Sequence, residues 1–326
     1  MQTAVLRWYG AVGRELAFRG TRDPYAILVS EVMAQQTQIA RAETYWHAWM
    51  DRFPTFEALA AASPADALRT WRGLGYDRRA LNLWRCARAV VADHDGRLPS
   101  AVADLERLPG LGPYTARAVA ALAFGRRVGA VDVNVRRVVG RVVGGPDGPT
   151  AMGAARLQAV ADELVPAAGP GRWTHALMDL GAAVCRIRTP RCPDCPARPW
   201  CSAAAAWGTT GELAPAAPKA KTSSSAAGAR PPGAPPGVAR ERPAAFTTTR
   251  RWLRGRILDR LRETAGEGWA TFDGPIGEHD RAAVAATLRI LATEGMVELD
   301  ERPARVAGSG DEGPGTVVLR ARLPAR

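Results

Sequence analysis

Along the first two hundred positions apolar residues recur at helical spacing, as in ADALRTWRGL at 65–74 and ALNLWRCARAVVAD at 80–93, with glycines and prolines standing singly between such segments. Runs of β-branched residues are scarce. The one Val-rich stretch, VGAVDVNVRRVVGRVVGG at 128–145, fits a helix start as well as a strand. This part of the chain is predicted to be almost all helix. Residues 202–245 change character: seven prolines lie between Pro215 and Pro243 among Ser, Ala and Gly. Such a segment buries too little apolar surface to offset its ordering entropy, so it is predicted to be a disordered linker. Beyond it, RRWLRGRILDRLRET reads as an amphipathic helix with Trp252, Leu253, Ile257, Leu258 and Leu261 inward. DRAAVAATLRILATEGMVELD then reads as a helix, a Gly295 stop and a strand, and TVVLRARL as a last strand. The order helix–helix–strand–strand predicts a small winged-helix-like α+β domain over 246–326.

Composition narrows the partners. The chain has 326 residues, which at roughly 100–200 residues per domain gives two or three domains. A hydrophobic fraction of 47% supports a sizeable core and excludes full-length disorder. No run of about 18 apolar residues occurs, so no membrane span is expected. The start, MQTAVLRWYGAVGREL, lacks the apolar region of a secretory signal, so a cytoplasmic location is expected. The net charge is +12, and residues 1–201 hold 26 Arg against 18 acidic residues, a net of +8. That balance favours a polyanion, nucleic acid before a membrane surface. Only two lysines occur, Lys219 and Lys221, so no lysine amine is available in residues 1–201 for Schiff-base chemistry.

Two motifs carry candidate chemistry. Cys185, Cys192, Cys195 and Cys201 form C-x6-C-x2-C-x5-C within CRIRTPRCPDCPARPWC, with Pro193 and Pro196 stiffening the turns. Four thiolates this close can wrap one metal centre, zinc or an iron–sulfur cluster, and without a secretion signal paired disulfides are disfavoured. The fifth cysteine, Cys86, sits in an apolar helical stretch and reads as core. The second motif is LERLPGLGPYTARAVAALAFG at 105–125. A helix ends near Leu108, a Pro-Gly-Leu-Gly-Pro turn follows, and a new helix begins near Tyr114. Gly110 and Gly112 leave backbone N–H groups uncovered beside a positive helix N-terminus, which suits a phosphate.

Taken together, LPGLGPYTA, VDVNVRRV at 131–138 and the cysteine spacing resemble the helix-hairpin-helix, Gly/Pro-Asp DNA glycosylase superfamily with its iron–sulfur loop. DPYAILVSEVMAQQTQIARAETY at 23–45 and WRGLGYDRRALNL at 71–83 are similar to the MutY-type adenine DNA glycosylases. The resemblance covers roughly residues 1–201 and implies a mostly α, two-lobed glycosylase core. Residues 23–140 would form a six-helix lobe with the hairpin, and 1–22 with 141–201 a cluster lobe. It implies a [4Fe–4S] cofactor on the four cysteines. It also implies excision of adenine mispaired with 8-oxoguanine or guanine from double-stranded DNA by a monomer, nucleoid-associated in a bacterium.

The resemblance also assigns roles. Breaking a glycosidic bond through an oxocarbenium-like sugar asks for one protonated and one ionised carboxyl group. Glu31, in the apolar run AILVSEVMA, is the expected proton donor to the adenine; as a lone residue it would read as a solvated helix carboxylate. Asp132 is the expected partner of the sugar cation, with an N-cap of the following helix as its simpler reading, and Asn134 the residue that orients it. Tyr114 stands where bifunctional relatives carry a lysine, and is expected to donate a hydrogen bond to Asp132. Tyr76 and Gln36 are expected to enter the duplex beside the lesion, Thr37 to contact the DNA, and Arg19 to line the adenine pocket. Phosphate contacts are expected from Gly110, Gly112, Arg78 and Arg79, and from Arg186, Arg188, Arg191 and Arg198 in the cysteine loop.

Departures from the family pattern are Leu16-Ala17-Phe18-Arg19 in place of Leu-Pro-Trp-Arg, Asp77 where a second tyrosine often follows Tyr76, and Val133 between Asp132 and Asn134. Residues 246–326 are too short for the Nudix-like domain many relatives append, and are expected to grip DNA through Arg250, Arg251, Arg254 and Arg256. Two other readings remain at this stage: a thymine/uracil mismatch glycosylase of the same superfamily, and a non-enzymatic iron–sulfur DNA-binding regulator.

Overall fold

The computed structural model describes residues 1–210, 245–264, 266, 268–303 and 317–325. Of the expected linker, 211–244 lies outside the described residues. Their contacts divide into two compact units, 1–57 with 86–210 and 58–85 with 245–325. The cut differs from the expected boundaries, because 58–85 groups with the C-terminal segment. Among the described residues no helix is long and apolar enough to cross a membrane.

The first unit is helical. At its centre runs Pro24–Ala34, started by Pro24 at the first turn and by Asp23, whose carboxylate accepts from the amides of Tyr25 and Ala26 at 3.0 and 3.4 Å. Every residue from Tyr25 to Met33 is buried. A helix apolar on all sides has to be interior, and it packs against Pro113–Phe124 and Ile39–Arg52. The predicted hairpin is present: Val102–Leu105, a turn with Gly110 at φ 82°, then Pro113–Phe124 capped by Gly112. The Val-rich stretch resolves as the helix Val133–Gly144 with Asp132 as its N-cap. It shares a core with Val5, Leu157, Trp173, Leu177, Leu180 and Val184, against which Cys185, Cys195 and Cys201 pack.

The linker was expected to begin at 202, but Ser202–Thr210 is a helix. Four consecutive alanines favour helix, Ala203 is fully buried, and the Arg141 guanidinium lies 5.4 Å over the Trp207 ring.

In the second unit, Arg250–Glu263 is capped by Thr249 and buries Leu253, Ile257, Leu258 and Leu261, while Trp252 is only half-buried and stacks on His279. The expected order gains one strand, β1 (Ala270–Phe272), ahead of the helix Arg281–Thr293. Gly295 at φ 74° ends that helix. β2 (Glu298–Pro303) and β3 (Val317–Arg322) complete an antiparallel sheet in the order β1-β3-β2, with Phe272 opposite Leu319 and Leu299 opposite Ala321.

Candidate active site

In the first unit, Glu31 is 8% exposed on the central helix. Burial pushes its carboxyl up to about 7; a hydrogen bond from Tyr114 and the charge of Arg19 pull it down, and Asp132 pushes it up. Glu31 and Asp132 are therefore close enough to feel one another's charge, although 101 positions separate them. Tyr114 feels both carboxyl groups, and its own ionisation is pushed well above the usual phenol range by burial and those charges. Its hydroxyl, expected to serve Asp132, instead donates to Glu31 Oε2 at 2.9 Å. The reason is local: Asp132 is already occupied by its helix. Its Oδ1 accepts from the amides of Asn134 and Val135 at 2.8 and 2.6 Å, and its Oδ2 from Asn134 Nδ2 at 2.9 Å. The N-cap and the Asn134 clamp hold the carboxylate where a helix N-terminus favours negative charge.

Arg19 is fixed from behind. Its guanidinium donates to both oxygens of Asp179, at 2.8 and 2.9 Å, and Arg14 donates to the same carboxylate. The Asp179 and Arg19 side chains are 4% and 9% exposed. Burial pushes Asp179 up, but the hydrogen bonds from Arg19 and Arg14 outweigh it and hold the carboxyl well below its usual range. Nearby His175 is driven down to about 3 by burial and by Arg19. Sequence reading missed Asp179. A lone acid within ALMDLGAA gives one faint signal, since a charge in an apolar helix needs a partner.

At the end of the central helix Gln36 adopts φ 53°, a left-handed conformation uncommon outside glycine. Gln35 Nε2 reaches Thr115 Oγ1 at 3.0 Å, and Thr37 Oγ1 donates to the carbonyl of Gln35 at 3.2 Å. Gly110 and Gly112 are exposed at the hairpin, and a Cβ on Gly112 would meet nothing within 4 Å.

The four cysteines of 185–201 line one cavity with Val138, Leu180, Val184 and Trp207. None of the five cysteines is in a disulfide, and Cys86 is fully buried core as expected. Arg141 donates to Cys185 Sγ at 3.4 Å and to the carbonyls of Arg186 and Ile187 at 2.7 and 2.9 Å. A cationic donor on a partly buried sulfur suits a thiolate ligand set, so these residues fit a four-thiolate group. The sulfurs surround the cavity rather than closing on a point. Among the described residues no three of His, Cys, Asp and Glu are drawn together enough to hold a metal ion. Of the loop arginines, Arg191 is paired with Asp194 at 2.6 Å.

In the second unit Tyr76 is 42% exposed at φ 49°. Arg78 is exposed beside it, whereas Arg79, expected to meet phosphate, is turned inward. It donates to the carbonyls of Gly75 and Leu74 at 3.0 and 3.4 Å and lies over the rings of Trp71 and Tyr76. The short Gly73–Tyr76 turn leaves carbonyls that need donors, and Arg79 supplies them. Two arginines of the expected C-terminal grip have acidic partners. Arg254 is bound to Glu294 at 2.5 Å and Arg256 to Asp259 at 2.5 Å.

Residues 29–172 match the HhH-GPD superfamily base excision DNA repair proteins. The adenine DNA glycosylase of Mycolicibacterium smegmatis is 38% identical over 315 residues, covering 95% of this chain and 97% of that one. That of Mycobacterium tuberculosis is 43% identical over 262 residues, covering 80% and 78%. Among solved structures a thermostable thymine-DNA glycosylase superposes with a TM-score of 0.59 at 29% identity, covering 63% of this chain and 95% of that one. The chain belongs to the HhH-GPD superfamily, in its MutY-type adenine DNA glycosylase family.

Proposed function

We propose that the chain is a monofunctional adenine DNA glycosylase that removes adenine mispaired with 8-oxoguanine or guanine from double-stranded DNA. The observation that carries this reading is Glu31: a buried carboxyl with its pKa near 7, in charge contact with a second carboxyl fixed at a helix N-terminus. Such a pair meets the need for a proton donor and a counter-ion.

Glu31, protonated, gives its proton to N7 of the everted adenine, which makes the base a neutral leaving group. As the glycosidic bond lengthens, positive charge grows on the sugar, and the Asp132 carboxylate held by Asn134 stabilises it. Glu31, now ionised, takes a proton from the attacking water. Tyr114 holds Glu31 in place, and Arg19, braced by Asp179, lines the adenine side of the pocket. Reaching the base costs a few kcal/mol of unstacking; Tyr76 and Gln36 enter the duplex to offset it, and Thr37 contacts the DNA. Gly110, Gly112 and Arg78 meet the phosphates. No lysine occurs in residues 1–201, so no lysine-based Schiff base forms and the strand is left intact.

Cys185, Cys192, Cys195 and Cys201 would hold a [4Fe–4S] cluster, whose contribution is to cross-link the 185–201 loop rather than to transfer electrons in excision. The identities of 38% and 43% with adenine DNA glycosylases favour this reading over the thymine/uracil one, for which a fold likeness at 29% identity speaks. The chain would act as a monomer, in the cytoplasm and on the nucleoid.

The test is one duplex assay with labelled A:8-oxoguanine, A:G, T:G and U:G strands, with and without alkali. Breaks at adenine that appear only after alkali, without a borohydride-trapped adduct, are expected. Activity confined to T:G or U:G would replace this reading with the mismatch one. Glu31→Gln and Asp132→Asn should each abolish excision while largely sparing DNA binding, and the purified protein should show the visible absorbance of an iron–sulfur chromophore.

A further inference from the structure

The second unit joins the Tyr76 turn to the C-terminal domain by contacts the excision chemistry does not call for. Asp77, next to Tyr76, is ion-paired with Arg262, whose side chain is 4% exposed against 13% for Asp77. Arg262 also donates to the carbonyl of Leu68 at 3.0 Å and pairs with Asp259 at 3.1 Å. About three turns earlier on the same helix, Arg251 stands over the Tyr76 ring at 4.4 Å. Around these, Arg72 meets Glu263 at 2.7 Å and the amide of Ala65 meets the carbonyl of Pro324 at 3.2 Å.

A tyrosine at φ 49° persists only where its surroundings over-determine it. On the 58–85 side the turn is held by Trp71 Nε1 to the carbonyl of Gly75 at 3.0 Å and by the Arg79 amide to the carbonyl of Tyr76 at 2.9 Å. These bonds fix the backbone before and after the ring. Arg251 and Arg262 bring the C-terminal domain to bear on the turn's side chains: one on the ring, one on the neighbouring carboxylate.

We propose that Arg251 and Arg262 are positioning residues for Tyr76, and that the C-terminal domain serves to preset the ring for entry into the duplex. This rests on the reading of Tyr76 as the residue that enters the base stack. The ring is held in its left-handed conformer before DNA arrives, so less ordering is left to be done at the moment of insertion. The Arg251 guanidinium rides with the ring or yields to the phosphates as a base takes its place. The step that gains is base eversion; protonation and bond cleavage in the first unit do not.

The test uses the full chain in a Glu31→Gln background, which leaves the duplex uncut, with 2-aminopurine in place of the target adenine opposite 8-oxoguanine. Its fluorescence reports eversion. Arg251→Ala and Asp77→Asn should each lower the everted fraction by on the order of tenfold, well beyond any loss of affinity for undamaged duplex that removing the Arg251 charge brings. Arg262→Lys, which keeps the charge, should recover part of what Arg262→Gln loses. Equal losses of eversion and of undamaged-duplex affinity, tracking a lowered unfolding temperature, would mark these residues as merely structural and overturn the proposal. Unchanged eversion in all variants overturns it too. If Tyr76→Ala itself leaves eversion intact, the wedge reading fails and takes the proposal with it. Absence of eversion by the parent protein would instead count against the adenine substrate.

Discussion

The Tyr114 hydroxyl donates to Glu31 Oε2 at 2.9 Å, across 83 positions of chain. A phenol hydrogen bond favours the carboxylate, so it opposes the burial that carries Glu31 to about 7. As proton donor Glu31 works only while protonated, and single-turnover excision should therefore fall as pH rises through about 7. In Tyr114→Phe the opposing bond is gone, and the alkaline limb should move to higher pH, by about one pH unit. A limb that stays in place in this variant would assign it to another group.

The same shift has a thermodynamic face. Glu31 has a folded-state pKa of about 7 against 4.5 for an ordinary glutamate. Its protonated form is favoured by folding, so its contribution is fully present below pH 4.5 and is lost as pH rises through 7. Glu31→Gln keeps the acceptor for Tyr114 and never ionises. It should be more stable than the parent at pH 8, by about 3 kcal/mol, with the difference fading below about pH 4.5. Urea unfolding at both pH values measures this, and a constant difference across the range would contradict it.

Asp179 calls for the opposite sign. Its carboxyl is held far below its ordinary value of 3.8 by Arg19 and Arg14 against the cost of burial. The stability it provides is present above that ordinary value and is lost as pH falls below it. Asp179→Asn leaves the buried Arg19 without its counter-charge, and the loss at neutral pH should be about 3–5 kcal/mol. The gap to the parent should close in acid. Arg19, stripped of its counter-charge, would also bear more strongly on Glu31, whose carboxyl it already pulls down, so the excision profile of Asp179→Asn should shift toward lower pH. Unfolding curves at pH 7 and in acid, beside a pH–rate profile, check both halves.

These pairings show which parts of the site could be read from the chain. Local features were legible: the Gly110 turn, Asp132 as an N-cap two residues before Asn134, and four cysteines within one loop all depend on near neighbours. The chosen partner of Tyr114 was not, because two carboxyl groups bear on it and only packing shows which of them its hydroxyl meets. Asp179 lies 160 positions from Arg19, and nothing in the spacing joins them. The inward turn of Arg79 and the Arg262–Asp77 pair were hidden for a similar reason: an arginine on paper reads as a surface cation, and only the open carbonyls of a tight turn or a buried acid show otherwise. The strand β1 escaped because three residues are too few for an alternating pattern.

Asn134 can hold Asp132 only because the facing helix carries a glycine. A Cβ on Gly181 would stand 2.6 Å from Asn134 Cβ and 3.1 Å from its backbone carbon, and Arg137 donates to the carbonyl of Gly181 at 2.6 Å. Neither neighbour is a flexible side-chain end, so Gly181→Ala must displace the first turn of Val133–Gly144. Overpacking of this kind costs about 1–3 kcal/mol, and here the displaced turn carries Asp132. Excision should consequently fall more in Gly181→Ala than in Asn134→Ala, which removes one hydrogen bond and leaves the two backbone donors to Asp132 in place. Both variants keep every exposed arginine, so DNA affinity should change little in either. Single-turnover rates beside duplex binding distinguish the cases: a Gly181→Ala protein that is destabilised but cuts at the parent's rate would separate this close approach from the placing of Asp132.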